Sequence, residues 1–314
     1  MGERALVVGG AGFIGSNLVE RLVGQGYSVA VVDNLTLGKK EYLKGLIEGG
    51  ITFLEKDFSN PAETIQVFRQ NEVDIVFHLA ANSDIRRSAA DPDVDFQNTF
   101  MTTLNIVRAM SQFKVRKLVF ASTSAIYGDP GDRLISEDSG PLLPESYYGG
   151  AKLASEAFIS AYANMNDFKV WICRFPNVVG RHGTHGVVFD FIRKLRANRK
   201  ELLILGDGQQ RKPYIHIEDL LDAILLIVNK TSERINFFNI GVDDQASVTQ
   251  VADIVCKEMG LQGVHYRYTG GTRGWAGDIP QYRYNTSKLK SLGWVSRHTS
   301  SEAVRDAARI LLDE

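Results

Sequence analysis

The run ALVVGGAGFIGSNLVERL, residues 5–22, leaves a chain few choices. Its β-branched start reads as a buried strand and its end as a helix, with Gly9, Gly12 and Gly15 where one must turn into the other. Glycine there permits a tight turn, close approach of the backbone to a pyrophosphate, and close helix packing. The helix N-terminus adds unpaired N–H groups and the positive end of its dipole. Glycines alone would say little, since turns use them freely. Here Asp33 also ends the next apolar run, 18 residues after Gly15. A carboxylate at that place hydrogen-bonds ribose hydroxyls and repels a 2′-phosphate, so the pattern favours NAD over NADP.

The rest of the first half repeats the same alternation. Strands are expected at 5–9, 28–33, 51–55, 74–80, 117–122 and 169–175, and helices near 13–25, 61–70, 92–112 and 148–165. Strict alternation, with strands that are nearly all apolar, predicts an α/β fold with a doubly wound parallel sheet of the Rossmann kind. After Phe175 the pattern loosens into a loop, a helix at 187–198, the short strand LLIL and the turn GDGQQRKP. A helix at 217–229 and a strand at 236–241 then rejoin the sheet, before the strand VHYRY and the loop TGGTRGWAGD. The expected division is an NAD-binding domain of residues 1–175 and 213–243 and a smaller, interwoven α/β substrate lobe of 176–212 and 244–314.

Composition removes several function classes. With 314 residues and a net charge of −1, the chain has no global field to recruit nucleic acid or an anionic membrane. The basic run 193–200, RKLRANRK, suits the wet face of a helix. Cys173 and Cys256 each sit within an apolar run, as buried free thiols of a reducing compartment do. No Cys or His spacing resembles a metal site, so no metal is expected. The first apolar run begins at Ala5, which leaves no room for a signal peptide, and no stretch approaches membrane-spanning length. The expected location is the cytoplasm.

The segment ESYYGGAKLASE, residues 145–156, sets Tyr148 and Lys152 one turn apart on one helical face. A phenol with a pKa of ~10 is a poor base at neutral pH. A neighbouring ammonium favours its ionised form and suits it to proton abstraction.

Taken together, GxxGxxG, the YxxxK pair and further segments resemble the extended short-chain dehydrogenase/reductase family along nearly the whole chain. The resemblance implies that Thr123, in STSAIYG, is the catalytic hydroxyl beside Tyr148 and Lys152. It implies cofactor contacts from Phe13 and Ile14 of the cradle, from Asn34 after Asp33, and from Asp57 and Phe58 near adenine. Leu79, Ala80 and Ala81 of HLAA would pass the cofactor at the end of the fourth strand. Tyr147 stands where many relatives carry proline and reads as wall, not base. Thr99 takes the place of a family asparagine, with Asn98 one residue earlier.

The second half resembles the nucleotide-sugar branch of that family, and most of all its UDP-galactose 4-epimerases. That resemblance implies a UDP-sugar substrate, a homodimer, and substrate contacts from Ser83, Thr123, Asn177, Val187, Tyr214 and Asp278. Lys212 replaces an arginine of the family signature, with Arg211 just before it, and Arg273 would clamp the diphosphate. Tyr282 would lie against carbon 2 of the sugar. Dehydratase and decarboxylase branches carry acidic residues after the catalytic hydroxyl, whereas this chain has Ser124 and Ala125. The implied activity is therefore 4-epimerisation through a transient 4-keto sugar. Two alternatives stay open. One is a UDP-glucuronate or other nucleotide-sugar epimerase, with Arg86, Arg87 or Arg181 meeting a carboxylate. The other is a non-catalytic NAD-binding regulator, for which the Tyr–Lys pair would be superfluous.

Overall fold

Alternating apolar strands and helices do build one large sheet. The computed structural model describes residues 2–82, 91–275 and 277–314. Its central sheet comprises β1 (Arg4–Val8), β2 (Ser28–Asp33), β3 (Thr52–Glu55), β4 (Ile75–His78), β5 (Lys117–Thr123), β6 (Lys169–Phe175) and β7 (Ile235–Asn239). The spatial order is β7-β6-β5-β4-β1-β2-β3, and β3-β2-β1-β4-β5 pair in parallel throughout. Order reverses beside β1, the switch point where open α/β sheets bind ligands at strand ends. The register puts Val8 level with Val32 and His78, so the cradle, Asp33 and HLAA emerge at one edge.

The first compact unit comprises residues 1–123, 147–174 and 227–238. Its strands bury both faces: Leu6, Val7, Ile75, Val76, Phe77, Leu118 and Phe120 have no exposed surface. Asn60 caps the helix Pro61–Gln70 by accepting from Ala62 N–H at 3.0 Å, and Pro61 supplies the preset first residue. The helix predicted at 92–112 is not uniform. A short turn Asp93–Asp95 leads through a π-helical turn, Phe96–Met101, into Thr102–Phe113. Outside it lie Phe96 (48% exposed) and Phe158 (43%), with the Phe100 ring 5.2 Å from that of Phe158.

The second unit comprises residues 124–146, 175–226 and 239–314. Two-stranded pairs and longer helices, among them Val187–Ala197, Val248–Glu258 and Ser300–Asp313, surround its core, which includes Phe191, Leu195, Leu202, Val251, Ala303 and Val304. Capping boxes open two of those helices: Ser247 with Gln250, and Thr299 with Glu302.

The division differs from the expected one because short pairings capture segments assigned to the first domain. Leu134–Ile135 pairs with Arg283–Tyr284, and Tyr127 Oη donates to Asn239 Oδ1 at 2.8 Å, which takes residues 124–146 into the second unit. Tyr214–His216 pairs with Asn177–Val179, which takes the start of the following helix with it. Neither pairing has a signature in spacing or composition.

Candidate active site

In the first unit the cradle is closed to anything but glycine at positions 9 and 15. Gly9 has φ +83°, and a Cβ on it would lie 2.6 Å from Ala80 N; a Cβ on Gly15 would lie 2.1 Å from Gly9 O. Gly12 caps the helix Phe13–Gly24 without a side-chain hydrogen bond, so the backbone N–H groups of Phe13 and Ile14 are offered at a bare helix start. Leu79 and Ala80 both donate N–H to Val8 O, at 2.8 and 2.9 Å, which holds HLAA beside the cradle; Ala81 follows directly.

Asp33 is fixed rather than loose. Its Oδ2 accepts from Ala11 N–H and its Oδ1 from Leu35 N–H, each at 2.9 Å, and it is 8% exposed. Burial pushes its carboxyl above the usual range, and those N–H groups oppose the shift. Each oxygen keeps a lone pair for a ribose hydroxyl. Asn34 Nδ2 donates to Asp57 Oδ2 at 3.2 Å, lining up the two residues expected near the adenosine. Partial burial raises the Asp57 carboxyl, but Ser59 and Asn34 donate to it and hold it below the usual range. The Phe58 ring packs in the core beside Phe68, so only its backbone is left to meet a cofactor. Cradle, bare helix start and pre-held carboxylate together fit a dinucleotide.

Two periodicities meet at the catalytic pair. The Tyr148 hydroxyl hydrogen-bonds with Thr123, and Lys152 Nζ donates to Ala121 O at 2.7 Å. Two residues along a strand cover roughly 6.6 Å and four along a helix roughly 6 Å, so helix Tyr147–Asn166 registers with the end of β5. Lys152 Nζ also lies 5.9 Å from the centre of the Tyr148 ring. Tyr147 is 57% exposed and turns away from this cluster.

The electrostatics differ from the expectation. Burial pushes the Tyr148 hydroxyl up to about 12, with the Thr123 hydrogen bond opposing and the charge of Asp95 adding. Burial also pulls Lys152 down to about 7, against the charges of Asp95 and Glu156. Lysine proximity is therefore not sufficient to ionise the phenol, because desolvation outweighs it at both groups.

Sequence reasoning missed what stands behind the pair. Glu156 and Arg174, 3% and 4% exposed, form a two-pronged ion pair with Nε–Oε1 at 3.1 Å and Nη2–Oε2 at 2.8 Å. Ser122 Oγ donates to the same Glu156 Oε1. The available signal was Glu156 itself, one turn beyond Lys152 on the same helical face. Thr99 is buried, and its hydroxyl accepts Asn82 N–H at 3.1 Å.

In the second unit, Asn177 presents a buried Nδ2 with no hydrogen-bond partner among the described residues. The Tyr282 hydroxyl hydrogen-bonds with the Ser124 hydroxyl and Asn177 N–H; Tyr282 is 5% exposed, and burial pushes its pKa up. The half-buried Val187 opens the helix Val187–Ala197, and Tyr214 is buried with its hydroxyl pKa also raised by burial. Both predicted cations already hold anions. Lys212 Nζ pairs with Asp278, which also accepts Gly274 N–H at 3.0 Å, and Arg273 pairs with Glu145 and, at 3.0 Å, with Asp129. Ser83, Arg86 and Arg87 lie outside the described residues.

Spacing also concealed a meeting of His216, His298 and Asp306, whose ligand-capable atoms lie within 4.8 Å of one another. His216 Nδ1 accepts Glu218 N–H at 3.3 Å and so caps the helix Ile217–Lys230. The neutral ring then carries its proton on Nε2, which makes that atom a donor rather than a ligand.

Known proteins resemble this chain over nearly its whole length. The model of the NAD dependent epimerase/dehydratase family matches residues 5–241. A putative UDP-glucose 4-epimerase of Methanocaldococcus jannaschii is 31% identical over 305 residues, covering 96% of this chain and 95% of that one. A crystal structure of a UDP-galactose 4-epimerase superposes with a TM-score of 0.88 at 35% identity over 99% of each chain. The UDP-glucose 4-epimerase of Thermus thermophilus, crystallised with NAD, gives 0.88 at 31% identity over 98% of this chain and 99% of that one.

Proposed function

We propose that this chain, which belongs to the NAD dependent epimerase/dehydratase family, is a UDP-sugar 4-epimerase that interconverts UDP-glucose and UDP-galactose. The observation that carries the reading is the Thr123–Tyr148–Lys152 cluster, followed by Ser124 and Ala125 and not by an acid. The glycine cradle, the N–H groups of Phe13 and Ile14, and Asp33 would hold NAD, which when bound would supply the hydride acceptor and a positive charge. Tyr148, ionised, takes the proton of the carbon 4 hydroxyl, and Thr123 holds that oxygen in line. Lys152 as an ammonium favours the phenolate. With no acid after Thr123 to drive elimination, the 4-keto sugar turns over and is reduced on its other face, and Tyr148 returns the proton.

Asn177, with its unengaged amide N–H groups, supports a diphosphate contact. Arg273 and Lys212 support one too, each exchanging a carboxylate for the substrate anion. Val187, Tyr214 and Asp278 complete the proposed substrate set. The aromatic face of Phe96, Phe100 and Phe158 supports a homodimer, and the free, buried Cys173 and Cys256 support a reducing, cytoplasmic setting.

Tyr282 fills the space proposed for the carbon 2 substituent. Overfilling a packed site costs about 1–3 kcal/mol, or roughly 5- to 150-fold in relative binding. The test is an NMR assay of a UDP-sugar panel with the wild type and Tyr282→Cys. The wild type should epimerise UDP-glucose and UDP-galactose and disfavour their N-acetyl forms, and the variant should gain on the latter. No turnover of either hexose would refute the activity. Equal turnover of both sugar classes by the wild type would refute the role of Tyr282.

A further inference from the structure

Asp95 is the odd member of an acidic segment. In DPDVDFQN, Asp91 and Asp93 are exposed while Asp95 is 1% exposed. One oxygen, Oδ1, accepts from Asn82 Nδ2 at 3.0 Å, and Asn82 is itself pinned through its N–H to Thr99 Oγ1 at 3.1 Å. The other oxygen, Oδ2, is buried with no hydrogen-bond partner among the described residues. A buried carboxylate oxygen without a donor is costly, so it calls for a compensating charge. The turn bearing Asp95 and the π-helical turn after it both pack on the helix that carries Tyr148 and Lys152.

Among the described residues, the charged and titratable groups around Lys152 are few. Tyr148 is bonded to Thr123; Glu156 is matched by Arg174; and His78 is buried, bonded to Thr103 Oγ1 at 2.8 Å, and kept neutral by burial and by Lys152. Asp95 remains, with its charge acting on both Tyr148 and Lys152. Asp95 and Thr99, four residues apart, are both buried, so they share the inner face of the turn while Phe96 between them is exposed.

We propose that Asp95 is a positioning residue for the Tyr148–Lys152 pair, the unmatched negative charge that keeps Lys152 an ammonium in its buried place. Without it, desolvation favours the neutral amine, and the phenolate loses its cationic neighbour. The inference draws on the epimerase reading only for its kinetic readout.

The experiment follows Lys152 in the whole protein with its cofactor, by NMR of 13Cε-labelled lysine, with Lys152→Met to assign the signal. Asp95→Asn keeps an acceptor oxygen for Asn82 and removes the charge. Its Lys152 midpoint should fall by about one pH unit, and the alkaline limb of kcat should move to lower pH by the same amount. The sign follows from the charge: a base that loses an anionic neighbour gives up its proton at lower pH. An unchanged midpoint in Asp95→Asn would overturn the proposal by reducing Asp95 to a partner for Asn82. Should that variant not fold, a wild-type Lys152 already neutral at pH 6 overturns it, and one still charged there supports it. Absence of turnover on every UDP-sugar would sink the epimerase reading and leave the NMR midpoint intact, so the two failures are separable.

Discussion

Replacing Glu156 by Gln should destabilise the protein severely. The change keeps shape and removes one charge, leaving the Arg174 guanidinium, 4% exposed and 5.2 Å from the centre of the Phe237 ring, without its anion. The new amide also turns a donor toward guanidinium N–H groups that formerly met oxygens at 3.1 and 2.8 Å. Breaking one partner of a buried pair costs about 3–5 kcal/mol. Total stability of a folded domain is only about 5–15 kcal/mol, so this is a large share of it. At roughly 2–4 °C per kcal/mol for larger domains, the melting temperature should fall by roughly 6–20 °C. Glu156→Leu combined with Arg174→Met removes both charges at similar volume and should recover most of the loss. Urea and thermal unfolding followed by circular dichroism give both quantities. A loss below about 1 kcal/mol in Glu156→Gln, or a double variant no better than the single, would show that the pair does not behave as a desolvated couple.

Two further outcomes bear on the proposed activity. Tyr148→Phe should fold normally and lose ~10²–10⁴-fold in turnover, whereas Tyr147→Phe, at a 57% exposed position, should lose far less; equal losses would refute the assignment of roles within the tyrosine pair. Phe96→Lys with Phe158→Lys should convert a dimer to a monomer in sedimentation velocity, and a wild type that sediments as a monomer would remove the interface.

What could be read from the sequence was local. Glycine at positions 9 and 15 is demanded by contacts within a few residues or with the neighbouring strand, so the cradle announces itself in the spacing. The nearness of Tyr148 and Lys152 follows from helical period, whereas the role expected of them rests on the family resemblance. Arg174 meets Glu156 across 18 residues, through the packing of a helix on a strand, and no short pattern encodes that. The same holds for the carboxylates that Arg273 reaches at Asp129 and Glu145, far away in sequence. The π-helical turn at Phe96–Met101 is a backbone choice with no residue signature, and nothing in the acidic run DPDVD singles out Asp95 as its buried member. The direction of the Tyr148 shift was missed for a different reason. Spacing reports that a lysine is near, but the pKa depends on how much water is excluded, and that is a property of the assembled fold.

On the proposed reading, the position after Thr123 favours epimerisation over elimination on physical grounds as well as by residue type. Ser124, the residue after Thr123, has a hydroxyl, which is a weak acid. That hydroxyl is bonded to the Tyr282 hydroxyl, whose second partner is Asn177 N–H. Burial pushes the Tyr282 pKa up, which makes that phenol a poor proton donor to Ser124. Ala125 brings no acid at all. Neither Ser124 nor Ala125 is therefore a ready proton donor for elimination from a 4-keto sugar, and the Tyr127 hydroxyl already donates to Asn239 Oδ1. On the proposed reading, return of the hydride to the 4-keto sugar needs no further acid, and Tyr148 beside Lys152 would return the proton to the carbon 4 oxygen.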